Sequence, residues 1–166
     1  TPKPARAPRA SASIRARTRS DAARVRIALL GEGGRGTVLL FPGRTEFVEK
    51  YGPAGRALAV RGYSVLAIDW RGQGLTDRFL PDRRMGHIER FDDYQRDVAA
   101  MVQAADDLSL PRPWHLIGHS MGGAIGLRAV HSGLPVASAV FSGPMWGIRL
   151  SAYMRSLAWT VTTLAR

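Results

Sequence analysis

The sequence predicts an α/β fold, in which a mostly parallel β-sheet is covered by helices on both faces. From residue 37 onward, apolar runs of strand length alternate with helical patterns through four strand–helix pairs. The strand runs are apolar on both faces, as parallel strands require when helices cover both sides of the sheet. Functional groups in such sheets lie at the carboxyl ends of the strands, so we expect the site in the loops that follow them.

The predicted parallel strands are residues 37–41, 63–68, 114–117 and 135–141. Residues 25–30 form a further apolar run ahead of them. Residues 31–36, between the first two runs, match G-x-G-x-x-G, but a dinucleotide-binding loop needs a following helix and an acidic residue about 20 positions later. A strand follows instead, and the residue at that distance is Arg56, so we interpret the segment as a hairpin turn.

Helical spacing of apolar residues predicts the remaining elements, which are residues 47–60, 92–108, 122–131 and a stretch from 150 to the last residue. Gly62 should end the first helix, because glycine commonly follows a helix C-terminus. Asp92 can cap the second helix, with Gln95 three positions later as in a capping box. The last helix is amphipathic.

Composition excludes several kinds of site. The chain of 166 residues is the size of one domain and contains no cysteine, which excludes disulfides and thiolate metal sites. Its four histidines show no metal-ligand spacing, so we expect neither a metal ion nor a cofactor. No run of 18 apolar residues occurs, so we expect no transmembrane helix and favour a cytoplasmic location.

The net charge of +11 is concentrated near the amino terminus, where the first 35 residues contain nine Lys and Arg against two acidic side chains. The remainder is nearly balanced, so we expect no nucleic acid partner. Residues 1–20 are predicted to be a disordered basic leader, and residues 21–166 the folded domain. Three roles stay open for the leader: a solvated segment, a targeting peptide, or an arm that binds anionic lipid or nucleic acid.

The segment from Gly118 to Gly122, with the sequence GHSMG, is the candidate catalytic motif. A β run precedes this G-x-S-x-G pattern and a helix rich in Gly and Ala follows it, which is the context of a nucleophile elbow. The tight turn would expose the Ser120 hydroxyl, and the two glycines would let the helix pack against the strand. The alternative is a plain turn with an incidental serine. His119 is expected to be structural.

An oxyanion hole requires two backbone N–H groups. The residue after the nucleophile, here Met121, supplies one, and the loop after an earlier strand supplies the other. That loop contains Pro42 and Gly43, so Arg44 is the candidate second donor. The N-terminus of the following helix adds partial positive charge. The alternative is that the Pro-Gly pair only ends a strand.

Four segments resemble, in order, the α/β-hydrolases of the serine-aminopeptidase-like group that includes lysophospholipases and monoacylglycerol lipases. They are TVLLFPGR (37–44), GYSVLAIDWRGQGLTDR (62–78), GHIERFDDYQRDVAA (86–100) and LIGHSMGG (116–123). The resemblance implies the N-terminal portion of an α/β-hydrolase fold, with a cap beginning near residue 149. It also implies that Ser120 hydrolyses monoacyl glycerolipids or lysophospholipids by acyl transfer. The expected partner is a small lipid or ester substrate, and peripheral membrane contact stays open.

The chain departs from the family pattern in two ways. Pro42-Gly43 stands where the family usually has His-Gly. The family places an acid and then a histidine after the serine, yet no Asp or Glu follows Ser120, and the one later histidine, His131, lies about 16 Å along the same helix. We therefore expect a C-terminally truncated member with little esterase turnover as given. The alternative is a non-catalytic fragment or binding module.

Overall fold

A computed structural model of the protein describes residues 12–18, 21, 23–147, 149 and 151–164. The described residues form six strands, four α-helices and two short 3-10 turns. In chain order the elements are β1 (Ala12–Arg17), β2 (Arg24–Gly31), β3 (Thr37–Phe41), a 3-10 turn (Val48–Tyr51), α1 (Gly52–Val60), β4 (Ser64–Asp69), a second 3-10 turn (Phe91–Asp93), α2 (Tyr94–Asp107), β5 (Trp114–His119), α3 (Met121–His131), β6 (Ser138–Ser142) and α4 (Ala152–Leu164).

The six described strands lie in one sheet in the order β1-β2-β4-β3-β5-β6. The four strands predicted to be parallel, β3 to β6, are indeed parallel to each neighbour among them. β5 lies between β3 and β6, in the interior of the sheet. β1 and β2 extend the sheet beyond β4 in antiparallel orientation. The carboxyl ends of β3, β4 and β5 therefore meet at one end of the sheet.

Helices cover both faces of the sheet, which confirms the predicted fold class. On one face, α2 and α3 pack through residues such as Val98 and Ile125 against strand residues such as Leu39. On the other face, α1 and the 3-10 turn before it, with Val48, pack against residues such as Val38. Successive residues of β3 thus enter different cores, because neighbouring side chains of a strand point to opposite faces. Two cores explain why β3 and β4 are buried at every position.

β1 corrects the prediction that residues 1–20 are a disordered leader. Residues 12–17 form a strand that pairs antiparallel with β2. Ile14 and Ala16 are half-buried, whereas the serine and the arginines around them are exposed, which is the period-two pattern of a strand with one covered face. The prediction was wrong because the arginine-rich composition obscured this alternation. Residues 1–11 lie outside the described residues.

The segment after β2 is not the predicted hairpin turn. β4 lies between β2 and β3 in the sheet, so residues 32–36 carry the chain past β4 to the strand beyond it. A Cβ atom at Gly33 would lie 2.2 Å from the carbonyl oxygen of Gly62, and the Gly33 N–H donates to Ser64 Oγ at 3.0 Å. Gly33 is needed because two backbone segments approach closely here. The other segment is distant in sequence, so the G-x-G-x-x-G pattern could not indicate this contact.

α1 and α4 lie where helical periodicity predicts them. A 3-10 turn and α1 together occupy the first predicted helix, the helix type changes at Gly52, and Gly62 follows with a φ of 91°. α4 exposes apolar side chains, including Tyr153 and Leu157, and its assignment to a cap stays a prediction. Among the helices of the described residues, none has the length and apolar character needed to span a bilayer.

The start of α2 differs from its prediction. A 3-10 turn precedes the helix, and the Arg90 N–H donates to Asp93 Oδ2 at 3.3 Å. Asp92, the predicted cap, instead forms an ion pair with Arg128 on α3 at 2.9 Å. The predicted capping box of Asp92 and Gln95 was therefore wrong, because the extra 3-10 turn moves the capping position along the chain.

Candidate active site

The turn between β5 and α3 holds Ser120 at the carboxyl end of an interior strand. β5 ends at His119 and α3 begins at Met121, so one residue makes the turn. The φ of 50° and ψ of −117° at Ser120 lie in a region that residues other than glycine rarely adopt. This is the strand–turn–helix geometry that the G-x-S-x-G pattern predicts.

Backbone hydrogen bonds hold the strained turn from both sides. The Ser120 N–H donates to the Ser142 carbonyl, at the end of β6, at 3.0 Å. The Ser120 carbonyl accepts from the N–H groups of Gly123 at 3.0 Å and Met145 at 2.9 Å. Within the described part of the chain, the Ser120 hydroxyl itself has no hydrogen-bond partner. The backbone is thus fixed while the hydroxyl stays available.

Glycines let three backbone segments approach one another around this turn. A Cβ atom at Gly122 would lie 2.1 Å from the Phe41 carbonyl oxygen, and one at Gly118 would lie 2.9 Å from the Gly122 carbonyl oxygen. Both glycines are therefore required by backbone contacts, which no side-chain movement can relieve. A Cβ atom at Gly43 would lie 3.2 Å from the Cβ of Ser120, so the loop after β3 passes directly beside the serine.

The loop after β3 is fixed by side chains that the sequence analysis does not single out. Trp70, buried just after β4, donates its Nε1–H to the Pro42 carbonyl at 2.8 Å. The Gly43 N–H donates to Glu46 Oε2 at 2.7 Å, so a carboxylate three residues later closes the loop. The place of Trp70 after an apolar run marks it as a core residue, but no local signal indicates its bond to a distant loop.

The next part of this loop leaves a backbone donor available. Thr45 has a left-handed conformation, with a φ of 60°, and its N–H donates to the side-chain oxygen of Gln73. The preceding N–H, that of Arg44, has no acceptor among the described residues, and neither has the N–H of Met121. Two available N–H groups in segments that adjoin Ser120 are what an oxyanion hole needs. The structure therefore brings the three predicted site residues into neighbouring segments.

Glu46 is an ionised group in this loop. Burial raises the pKa of its carboxyl, but hydrogen bonds from Lys50, from Tyr51 and from the Gly43 N–H together hold that pKa below its ordinary value. Burial and the adjacent carboxylate in turn raise the pKa of the Tyr51 phenol. Glu46 therefore remains an acceptor at neutral pH and can keep the loop in one conformation.

Asp69 organises the loop after β4, which faces the loop after β3. Its carboxylate is fully buried and accepts the N–H groups of Val48 at 2.8 Å and Leu75 at 3.0 Å. Arg26 on β2 donates to the same carboxylate at 3.1 Å. A Cβ atom at Gly74 would lie 2.2 Å from an Asp69 carboxylate oxygen, so the loop must wrap closely around the acid.

The histidine next to Ser120 and the one histidine that follows it, His119 and His131, do not pair with it in the described residues. His119 Nδ1 lies 3.0 Å from the Ser142 carbonyl oxygen, and its Nε2 lies 3.9 Å from Glu46 Oε1. His131 is the last residue of α3, which begins next to the serine, so about 15 Å of helix separates them. No Asp or Glu follows Ser120 in the sequence. The described residues therefore hold no histidine in hydrogen-bond reach of Ser120 to act as general base.

A mostly parallel sheet with a strained serine between an interior strand and a helix defines the chain as an α/β hydrolase in fold. Solved structures agree. An α/β hydrolase, GrgF from Penicillium sp. sh18, matches with a TM-score of 0.78 at 19% identity, over 93% of this chain and 53% of that one. A soluble variant of monoglyceride lipase from Saccharomyces cerevisiae matches with a TM-score of 0.63 at 25% identity, over 98% of this chain and 53% of that one.

The family model described as "Serine aminopeptidase, S33" matches residues 33–166, and the chain belongs to this family. Lysophospholipase L2 of Escherichia coli (strain K12) is 39% identical over 123 residues, which cover 70% of this chain and 35% of that protein. Probable lysophospholipase L2 of Haemophilus influenzae is 32% identical over 122 residues, which cover 73% of this chain and 38% of that protein. The chain thus spans little more than a third of the length of these relatives, and the resemblance seen in the motifs is confirmed.

Proposed function

We propose that the chain supplies the nucleophile and the oxyanion hole of a serine hydrolase that acts on lysophospholipids or monoacyl glycerolipids. The observation that carries the proposal is the strained Ser120, with the loop of Gly43 against it. The similarity to two lysophospholipases and to a monoglyceride lipase supports the substrate class. The apolar side chains that α4 exposes, such as Tyr153, support peripheral contact with a lipid surface.

The proposed reaction is acyl transfer in two steps. Ser120 Oγ attacks the ester carbonyl carbon, and the negative charge that develops on the carbonyl oxygen is stabilised by the N–H groups of Met121 and Arg44. Collapse of the tetrahedral intermediate expels the glyceryl alcohol and leaves an acyl-serine, which water hydrolyses to the fatty acid. Because both N–H groups are fixed in place before substrate binds, they need no reorganisation when charge develops.

The proton of Ser120 must pass to a general base, and the family pattern assigns this role to a histidine held by an acid. Neither group is found in hydrogen-bond reach of the serine among the described residues. We therefore propose that the 166 residues alone turn over esters only slowly. The second candidate function is a non-catalytic binding module, and the same observation favours it, because the Ser120 hydroxyl has no hydrogen-bond partner among the described residues.

A fluorophosphonate probe distinguishes the two functions when it is applied to the intact natural gene product that contains these residues. Such probes phosphonylate a serine hydroxyl only where it is activated, so labelling should disappear in Ser120→Ala. Ser132→Ala is the matched control, since this exposed serine follows α3 and should not change labelling. Labelling that survives Ser120→Ala would remove the assignment, and no labelling at all would favour the binding module.

Hydrolysis of p-nitrophenyl butyrate by the 166 residues tests the expected loss of turnover. Without a base, the oxyanion hole and substrate binding still leave a roughly 10³–10⁴-fold advantage over water, which is far below an ordinary enzyme rate. An ordinary rate that is abolished in Ser120→Ala would show that these residues contain a base after all.

A further inference from the structure

A cavity of about 270 Å³ lies beside the candidate oxyanion loop, on the side of the loop after β4. Its walls come from the segment that contains Arg44 and Thr45 and from the segment between Gly72 and Gly86. The volume is smaller than the roughly 300–1,000 Å³ of sites that enclose a whole drug-sized ligand, so it suits a single polar group of a larger molecule.

Four arginines line the cavity, and three of them have no carboxylate partner among the described residues. Arg44 donates to the Gly86 carbonyl at 3.1 Å, and Arg78 donates to the carbonyls of two loop glycines. Arg83, also in the wall, forms no ion pair among the described residues. Arg84 is the one wall arginine with a carboxylate partner there, Asp82. Arg44, Arg78 and Arg83 therefore line a small space in which no carboxylate of the described residues pairs with them.

The acidic side chain in the wall does not supply the missing negative charge. Glu46 is already engaged by the Gly43 N–H, by Lys50 and by Tyr51, all within the loop after β3. Its charge is thus shared with a lysine and two hydrogen-bond donors. The net charge around the cavity remains positive, which attracts an anion.

Two buried donors in the same wall have no acceptor. Among the side chains that the structure describes, the buried polar atoms without a hydrogen-bond partner are Gln73 Nε2 and Arg78 Nε. Gln73 is only 6% exposed, and its oxygen is committed to the Thr45 N–H. Buried donors are seldom left unpaired in proteins, and these wall residues therefore contribute two donors that no acceptor among the described residues satisfies.

We infer that this cavity binds the phosphate group of a lysophospholipid headgroup. Guanidinium groups suit phosphate because their donors match pairs of its oxygens. Arg44 connects the two sites, since its backbone N–H belongs to the candidate oxyanion hole while its side chain faces the cavity. The inference rests on the proposed function for its substrate, and it selects lysophospholipids over monoacylglycerols, which carry no phosphate.

Calorimetric titration of the chain tests the cavity without any turnover. Glycerophosphocholine and inorganic phosphate should both bind and compete with each other, whereas glycerol should not bind. Arg83→Gln should weaken both by about tenfold, the usual effect of losing one charged hydrogen bond, and Arg44→Gln should do the same. Arg56→Gln, on the exposed surface of α1, is the matched control and should leave binding unchanged.

Two results of the titration would overturn the inference. Binding that is equally strong in Arg83→Gln and in Arg56→Gln would place the phosphate elsewhere. Binding of inorganic phosphate without competition from glycerophosphocholine would show a site for the free ion that excludes a headgroup. Arg83 forms no hydrogen bond or ion pair among the described residues, so its replacement should leave the fold intact, which circular dichroism can check.

Steady-state kinetics on the intact natural gene product tests whether the cavity recognises the phosphate group of the substrate. Arg83→Gln should raise KM for a lysophosphatidylcholine about tenfold and leave KM for the monoacylglycerol of the same chain length unchanged. Equal changes for both substrates would overturn selection by phosphate. If the gene product hydrolyses neither substrate, the proposed function fails, while the titration still decides whether the cavity binds phosphate.

Discussion

The buried ion pair between Arg71 and Asp97 allows a quantitative test of how the domain is stabilised. Asp97 on α2 is fully buried and accepts three hydrogen bonds from Arg71: from the backbone N–H at 3.0 Å, from Nε at 2.9 Å and from Nη2 at 2.7 Å. Asp97→Ala would remove this partner from Arg71, whose side chain is only 2% exposed. Among the described residues, Asp21, at 2.8 Å, would be its remaining carboxylate partner.

We expect Asp97→Ala to lower the free energy of unfolding by about 3–5 kcal/mol, because the buried Arg71 loses its three hydrogen bonds to Asp97 and keeps only the partly exposed Asp21 as a carboxylate partner among the described residues. Domains are usually stable by about 5–15 kcal/mol, so the variant should be close to the limit of folding. Asp106→Ala on the same helix is the matched control. Asp106 pairs with Arg112, both side chains are about half exposed, and its loss should cost less than about 1 kcal/mol.

Urea unfolding followed by circular dichroism measures both changes, with the slope of free energy against urea checked for constancy. The double variant Arg71→Met, Asp97→Leu separates the contribution of the charges to stability from that of side-chain packing. Replacing a buried pair by apolar side chains is often neutral, so this variant should recover most of the stability lost in Asp97→Ala. Equal decreases in the free energy of unfolding for Asp97→Ala and Asp106→Ala would refute the reasoning, because burial would then have no effect on how much an ion pair stabilises the fold.

Two further predictions concern the segments around Ser120. Gly122→Ala should lower the free energy of unfolding by at least about 1–3 kcal/mol, since its Cβ would lie 2.1 Å from a backbone oxygen. Gly34→Ala, whose Cβ would meet nothing within 4 Å, should change it by less than about 0.5 kcal/mol, and similar thermal shifts for both would contradict this. Glu46→Gln should destabilise the folded protein at neutral pH but not in acid. Because folding lowers the pKa of the Glu46 carboxyl below its ordinary value of 4.5, the carboxylate contributes stability above that value. This stability is lost as the pH falls through the pKa of the folded state. A difference in urea unfolding that stays constant from about pH 7 to about pH 3 would exclude this role for the carboxylate.

The parallel part of the fold could be predicted from the sequence because its signal is local. Each parallel strand contains a short apolar run, and β3 and β4 are buried at every position, as parallel strands covered on both faces are. The turn at Ser120 could be predicted for a similar reason, since Gly118 and Gly122 mark the close contacts that the turn requires. Both signals depend on residues within a few positions of the element that they indicate.

The features that the sequence could not indicate depend on contacts between distant segments. β1 gains its partner from β2, and its half-buried Ile14 becomes a signal only when that strand is in place. The hydrogen bonds of Trp70 to Pro42 and of Gln73 to Thr45 join loops that follow different strands. Their positions near one another follow from the strand order, which the alternation of strands and helices does not specify.

The hydrogen bond between the Ser120 N–H and the Ser142 carbonyl links the serine to the dynamics of β6. β6 is the outermost strand on its side of the sheet as described, and Val140 within it is 58% exposed. Outer strands with few buried contacts open locally more often than interior strands do. We therefore expect the amide proton of Ser120 to exchange with solvent at a rate set by the opening of β6 rather than of β5. A ligand that stabilises β6 should then protect this proton even where it does not touch Ser120.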